Sequence, residues 1–202
     1  MNKYNPHIHH RRSIRLKGYD YAQAGLYFVT ICCDNRICRF GNIDNGEMIL
    51  NEFGTIAYNE WQKLSERFNN FELDVFQIMP NHIHGIIVLN NVGATLAVAQ
   101  NGGGDTQNGD VDTQKGGQRN DNIGATARVA PTISDIVGAY KSLVANGCLE
   151  IYKTRNETMG KLWQRNYYEH IIRNKKSYET ISNYIINNPA KWAEDKFYSK
   201  NA

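Results

Sequence analysis

His82 and His84 stand one residue apart in the run Phe76-Gln-Ile-Met-Pro-Asn-His-Ile-His-Gly-Ile-Ile-Val-Leu89, whose apolar residues give it the pattern of a buried strand. Successive side chains of a strand face opposite ways, so the two imidazoles share a face and Ile83 takes the other. Two imidazoles on one face can share a divalent metal. A lone strand histidine is more often structural, however, and a third ligand is needed to complete a site. Gly85 follows the pair and removes bulk beside it, as a closely approaching backbone or ligand requires. A second pair, Tyr184 and Asn188, is spaced four apart in a segment of helical period, which places both on one helix face. A phenol that can attack and an amide oxygen that can bind a hard cation would then be neighbours, although tyrosine at this spacing is more commonly packing. Two rivals stand beside these residues. His7-Ile8-His9 is another H-x-H pair, but it lies in no periodic segment that would hold its rings. Tyr167 and Tyr168 are adjacent in a strand-like stretch, where one must face away from the core, and neither has a carboxamide one helical turn away.

The elements that must position these groups can be read from periodicity. Leu26-Tyr-Phe-Val-Thr-Ile-Cys-Cys33 is β-branched and aromatic, and predicts a central strand. Asp44-Asn45-Gly46 predicts a hairpin between two short strands in residues 39–50. Ile56, Trp61, Leu64 and Phe68 fall near helical intervals and predict an amphipathic helix from Gly54 to about Asn70. Residues 71–89 predict two adjoining strands or one bent strand. Met79-Pro80-Asn81 is the break, because Pro80 cannot donate to a ladder. Thr132 and Asp135 form a capping box for a second helix with an apolar stripe through Ile133, Ile136, Val137, Tyr140, Leu143 and Val144, which Gly147 would end. Residues 162–172 predict a further strand. Ser177 opens a last helix that Pro189 stops.

Between these elements, residues 92–130 form a probe of another kind: Gly, Asn, Asp, Gln and Thr dominate, and apolar residues are too few to offset ordering, so disorder is expected from roughly Ala99 to Asn122. Gly93-Ala-Thr-Leu-Ala-Val-Ala99 and Gly124-Ala-Thr-Ala-Arg-Val-Ala130 echo each other at its edges, as a short duplication in a surface loop would. The polar arm 1–18 carries Arg11, Arg12, Arg15 and Lys17, an electrostatic footprint for phosphate. Lys141, off the apolar stripe of its helix, and Arg165 are further candidate DNA-binding cations. A net charge of +3 permits nucleic-acid binding without demanding it. The 202-residue length favours one domain with embellishments, residues 1–202 with the arm 1–18 and the insert 92–130. No apolar run reaches membrane-spanning length and no signal peptide is evident, so a cytoplasmic location without a membrane partner is expected. Cys32, Cys33, Cys38 and Cys148 form no C-x-x-C pair and read as reduced thiols.

Four blocks carry a resemblance: Tyr27-Phe-Val-Thr-Ile-Cys32, Met79-Pro-Asn-His-Ile-His-Gly-Ile-Ile-Val88, Trp163-Gln-Arg-Asn-Tyr-Tyr-Glu-His170 and Asn183-Tyr-Ile-Ile-Asn-Asn-Pro-Ala-Lys191. In this order they resemble the REP-associated tyrosine transposases, relatives of the single-tyrosine HUH transposases of insertion sequences. The resemblance implies an α+β fold of ferredoxin-like HUH kind, an antiparallel sheet with helices packed on it. It implies Tyr184 as nucleophile and Asn188 as third metal ligand beside His82 and His84. It further implies a divalent cofactor, Mg²⁺ or Mn²⁺, with Zn²⁺ left open by spacing alone. The activity implied is cleavage and strand transfer of hairpin-bearing single-stranded DNA through a 5′-phosphotyrosine, by a homodimer or a monomer. Two other classes of function remain beside it: a non-catalytic hairpin DNA-binding protein that keeps the fold, and a metal-dependent hydrolase of unrelated substrate.

Overall fold

A computed structural model describes residues 23–68, 70–90 and 131–198. The chain divides into two units, residues 1–91 with 131–202 and residues 92–130. The second unit and the arm 1–18 lie outside the described residues, and with them the expected disorder, His7-Ile8-His9, Arg11, Arg12, Arg15 and Lys17.

The first unit is α+β, built on a four-stranded antiparallel sheet. Its strands are β1 (Gly25–Cys32), β4 (Phe71–Met79), β5 (His82–Leu89) and β6 (Tyr168–Ile172), in the order β4-β5-β1-β6. The break at Pro80-Asn81 is a hairpin turn, which resolves the choice between two strands and one bent strand. A separate two-stranded ribbon, β2 (Gly41–Asp44) and β3 (Glu47–Leu50), turns at Asn45 and Gly46, both with positive φ as the Asn-Gly signal requires. The strand expected over residues 162–172 is shorter, because its first half departs from the ladder after a single bridge between Cys33 and Trp163.

Strand alternation sorts the central residues. Tyr27, Val29 and Ile31 of β1 share a face with Ile83 and Ile87 of β5, in one core with Ala57 and Trp61 of α1 (Glu52–Gln62) and Ile136, Tyr140 and Val144 of α3 (Ile133–Thr154). A one-turn helix α2 (Leu64–Arg67) follows α1, whose helical run stops earlier than the apolar spacing suggests. The opposite face carries Phe28, Ile86 and Ile172 against Ile185 of α4 (Lys175–Asn187). The histidines have the same parity as Ile86 and therefore lie on the α4 face.

Three expectations need correcting. Gly85 faces away from the histidines, and a Cβ there would stand 2.4 Å from Trp61 Cζ2, so the missing side chain admits an indole to the core rather than a ligand to the site. Gly147 does not end α3. A Cβ at that position would stand 2.8 Å from Ile56 Cγ2, so the glycine is a point of close approach between α3 and α1. The last helix begins at Lys175, two residues before Ser177, because Asn174 is its N-cap and accepts from the Ser177 N–H at 2.8 Å. The Thr132–Asp135 capping box forms as expected, and all four cysteines are free thiols. No helix among the described residues is long and apolar enough to cross a membrane.

Candidate active site

The site is assembled from two fixed strands and a helix end. His82 and His84 are almost wholly buried on β5, and their Nε2 atoms approach to 2.9 Å. Each ring is held by its other nitrogen. Asn81 spends both amide hydrogens on the Arg36 and Phe197 carbonyls, at 3.1 and 2.9 Å, so its Oδ1 can only accept. His82 Nδ1, 2.8 Å away, must donate to it, which leaves His82 Nε2 as a bare lone pair. His84 Nδ1 lies 2.9 Å from Thr30 Oγ1, its cross-strand partner on β1. Such partners fix the ring orientation of metal-binding histidines. Burial drives His82 down to about 3, with Lys196 and Arg36 adding to the effect. It holds His84 well below the ordinary imidazole range, with His82 second. Both rings are thus neutral near pH 7, the form in which imidazole binds metal.

The helix end supplies the remaining groups. Tyr184 and Asn188 share a face of α4, as their spacing requires. Asn188 keeps helical angles, φ −61° and ψ −40°, although it precedes Pro189, and the chain passes directly into a 3₁₀ turn, Pro189–Glu194. That turn delivers Asp195, which the sequence reading missed. Tyr184 Oη donates to Asp195 Oδ2 at 3.0 Å and lies 3.1 Å from His84 Nε2. Asn188 Nδ2 donates to the same carboxylate oxygen at 2.8 Å, while the Phe197 N–H reaches Oδ1 at 2.6 Å. The Phe197 ring covers His82, with centroids 4.6 Å apart, and Arg36 ties the segment down through the Lys196 carbonyl at 3.0 Å. Burial raises the Tyr184 phenol above its ordinary range, and the Asp195 charge raises it further. A groove of about 370 Å³ beside these groups is lined by Asn183, Tyr184, Asn187, Asn188, Lys191 and Asp195.

These donors suit a divalent ion. Ligand atoms of His82, His84 and Asp195 all lie within 4.8 Å of one another, the one such cluster among the described residues. The 2.9 Å between the two Nε2 atoms is short enough for one ion to span with metal–nitrogen bonds of about 2.0–2.1 Å. Asn188 Oδ1 is buried with no hydrogen-bond partner in the described structure, an orphaned oxygen of the kind a hard cation takes.

The other sequence candidates are placed elsewhere. Lys141 Nζ is half-buried and donates to the Gln164 and Arg165 carbonyls at 2.8 and 3.1 Å, tying α3 to the segment before β6. Arg165 is exposed on that segment. Tyr167 packs against the α1/α3 core with Oη 3.2 Å from Ser134 Oγ, whereas Tyr168 stands exposed on the histidine face. Thr30 became visible as an orienting group only with the strand register, and Asp195 only with the 3₁₀ turn; nothing periodic marks either in the sequence.

No family model matches the chain. A REP-associated tyrosine transposase, solved bound to a REP hairpin, superposes with a TM-score of 0.51 and 21% identity over 97% of this chain and 77% of that one, a likeness of fold. An uncharacterized protein of Haemophilus influenzae is 40% identical over 202 residues, 97% of each chain. The chain belongs to one family with that Haemophilus influenzae protein, and it has the α+β fold of the REP-associated tyrosine transposase.

Proposed function

We propose that this protein is a metal-dependent nuclease and strand transferase of the single-tyrosine kind, acting on single-stranded DNA at hairpin-forming repeats. The observation that carries the reading is the position of Tyr184 Oη, within hydrogen-bond reach of both His84 Nε2 and the Asp195 carboxylate. In this reading His82, His84 and Asp195, with the orphaned Asn188 Oδ1, hold Mg²⁺ or Mn²⁺. When bound, the ion supplies Lewis-acid polarisation of the scissile phosphate. Tyr184 Oη attacks phosphorus and its proton passes to Asp195 Oδ2; the phosphorus–O3′ bond breaks, and the departing 3′ oxygen takes a proton from solvent. One phosphodiester is exchanged for another, so the same groups can rejoin strands without an external energy source. Asn188 holds the carboxylate in place through Nδ2, and the neutral histidines keep their lone pairs. The hairpin substrate is proposed from the fold relative, which was solved bound to a REP hairpin.

The test is a labelled stem–loop oligonucleotide with single-stranded flanks, incubated with protein and Mn²⁺. A covalent protein–DNA adduct is expected, and it should be absent in Tyr184→Phe and with chelator. An undiminished adduct in Tyr184→Phe refutes the assignment. Salt-sensitive binding with no adduct under any divalent ion favours the non-catalytic hairpin binder, and turnover that survives loss of Tyr184 favours the unrelated hydrolase.

A further inference from the structure

A second cleft, of about 490 Å³, lies on the histidine face between β6 and the first turns of α4, lined by Phe28, Tyr168, His170, Asn174, Lys176 and Ser177 among others. Tyr168 and His170 pair across from Thr30 and Phe28 of β1, so both side chains have the parity of the site. Tyr168 is 47% exposed and leaves area on which another ring can stack. Phe28 is the shared wall. Its centroid lies 5.3 Å from His84, 6.3 Å from Tyr184 and 6.2 Å from Tyr168, so one ring separates the cleft from the nucleophile. Lys196 Nζ stands 5.7 Å from the Tyr168 ring and 4.8 Å from that of Phe197, which itself covers His82. An ammonium is thus held between the cleft and the histidines, with Lys176 at the cleft itself.

We propose that this cleft seats one unpaired nucleobase of the strand that Tyr184 attacks, stacked on Tyr168, with a phosphate of the same strand against Lys196. The proposal rests on the reading of Tyr184 as a DNA-directed nucleophile and adds a residue that selects where the strand is cut. An aromatic face with hydrogen-bonding edges from His170 and Asn174 suits a base, and the lysines suit the phosphates on either side. The volume falls in the range of small-ligand sites, roughly 300–1,000 Å³. Because the phosphate would lie between cleft and histidines, the seated base would set which phosphate meets Tyr184 Oη.

The experiment measures binding, not cleavage. The full chain carrying Tyr184→Phe is titrated by fluorescence anisotropy with a stem–loop oligonucleotide whose unpaired flanks carry an abasic residue at one position at a time. One flank position is expected at which base removal weakens binding about tenfold, the size of one base–aromatic stack. Adding Tyr168→Ala should weaken the intact oligonucleotide by a similar factor and make that position insensitive, whereas Tyr168→Phe should retain both affinity and sensitivity. Ser177→Trp, which fills the cleft from α4, should reproduce the Tyr168→Ala pattern and guards against a folding defect at Tyr168. A sensitive position that persists in both variants, or intact binding unchanged by both, overturns the proposal. The two readings fail separately. An adduct formed by the unsubstituted chain, with no flank position sensitive to base removal in the binding titration, removes the cleft and keeps the nucleophile; the abasic signature without any adduct from the unsubstituted chain removes the nucleophile and keeps the cleft.

Discussion

Along β1 and β5, Tyr27, Val29 and Ile31 meet Ile83, Ile87 and the two helices α1 and α3, while one residue out of step Phe28 and Thr30 meet His84 and Ile86 under α4. The same strands therefore present two surfaces with different means of support. The first is held by close packing: Trp61 lies edge-on to Tyr140 at 5.1 Å and stacked on Phe76 at 5.6 Å, in the space Gly85 leaves. Among the described residues the second has only four buried apolar residues in its cluster, and its polar groups are fixed by hydrogen bonds with Thr30, Asn81 and Asp195. A protein can keep neutral histidines and an orphaned amide oxygen buried on one face because the other face supplies the burial that holds the sheet together.

The sharpest way to break this division is to exchange the effects. Trp61→Ala should cost about 3–5 kcal/mol of unfolding free energy by urea denaturation, the usual range for emptying a buried indole. Gly85→Val should cost about 1–3 kcal/mol through overpacking against Trp61. His84→Ala without metal should cost less than Trp61→Ala. A loss from His84→Ala as large as that from Trp61→Ala would show that the site face also carries the fold.

Metal should act on the site face alone. Mn²⁺ at about one hundred times its dissociation constant should add about 2.7 kcal/mol to the stability of the unmodified chain, read as a rise in the urea midpoint. The rise should vanish in His84→Ala and survive in Gly85→Val. Thr30→Val removes the partner of His84 Nδ1 and should weaken metal affinity by about 10–100-fold with the ligands intact.

Acid should find the same face. An unfolded histidine takes a proton near pH 6.5, whereas His82 in the fold takes one only at about 3, so between those values the unfolded chain binds more protons and stability falls as pH falls. Stability is then fully present above about pH 6.5, and each such histidine removes up to about 1.4 kcal/mol per pH unit below it. Urea midpoints in chelator at about pH 7, 6 and 5 should show this slope, and His82→Asn should flatten it. A slope unchanged in His82→Asn would place the acid-sensitive groups elsewhere.

Legibility in the sequence followed distance along the chain rather than the two faces. Alternation put His82 and His84 on one face, and helical spacing put Tyr184 beside Asn188, because both are local periodicities that tertiary structure leaves intact. Gly85 and Gly147 were misread for one reason: a missing side chain marks a close approach but not the partner, and Trp61 and Ile56 are 24 and 91 residues away in the chain. Asp195 was hidden by Pro189, which ends the α-helix as proline should but continues it as a 3₁₀ turn that returns the carboxylate to Tyr184. Thr30 needed the antiparallel register of β1 with β5, which no single strand contains.

The smallest effects test how far the close packing extends along α3. Gly138 has open space where a Cβ would go, so Gly138→Ala should stabilise by up to about 1 kcal/mol through helix propensity. Gly147→Ala brings the same propensity gain, but its Cβ meets the branched Ile56 methyl at 2.8 Å, and a β-branched side chain has little rotamer freedom with which to yield. The two terms oppose, and Gly147→Ala should be neutral or destabilising by thermal unfolding, while Gly147→Ala combined with Ile56→Ala should recover the gain relative to Ile56→Ala alone. If both single glycine variants stabilise equally, α1 gives way to α3 at no cost, and the tight surface narrows to the contact between Trp61 and the sheet.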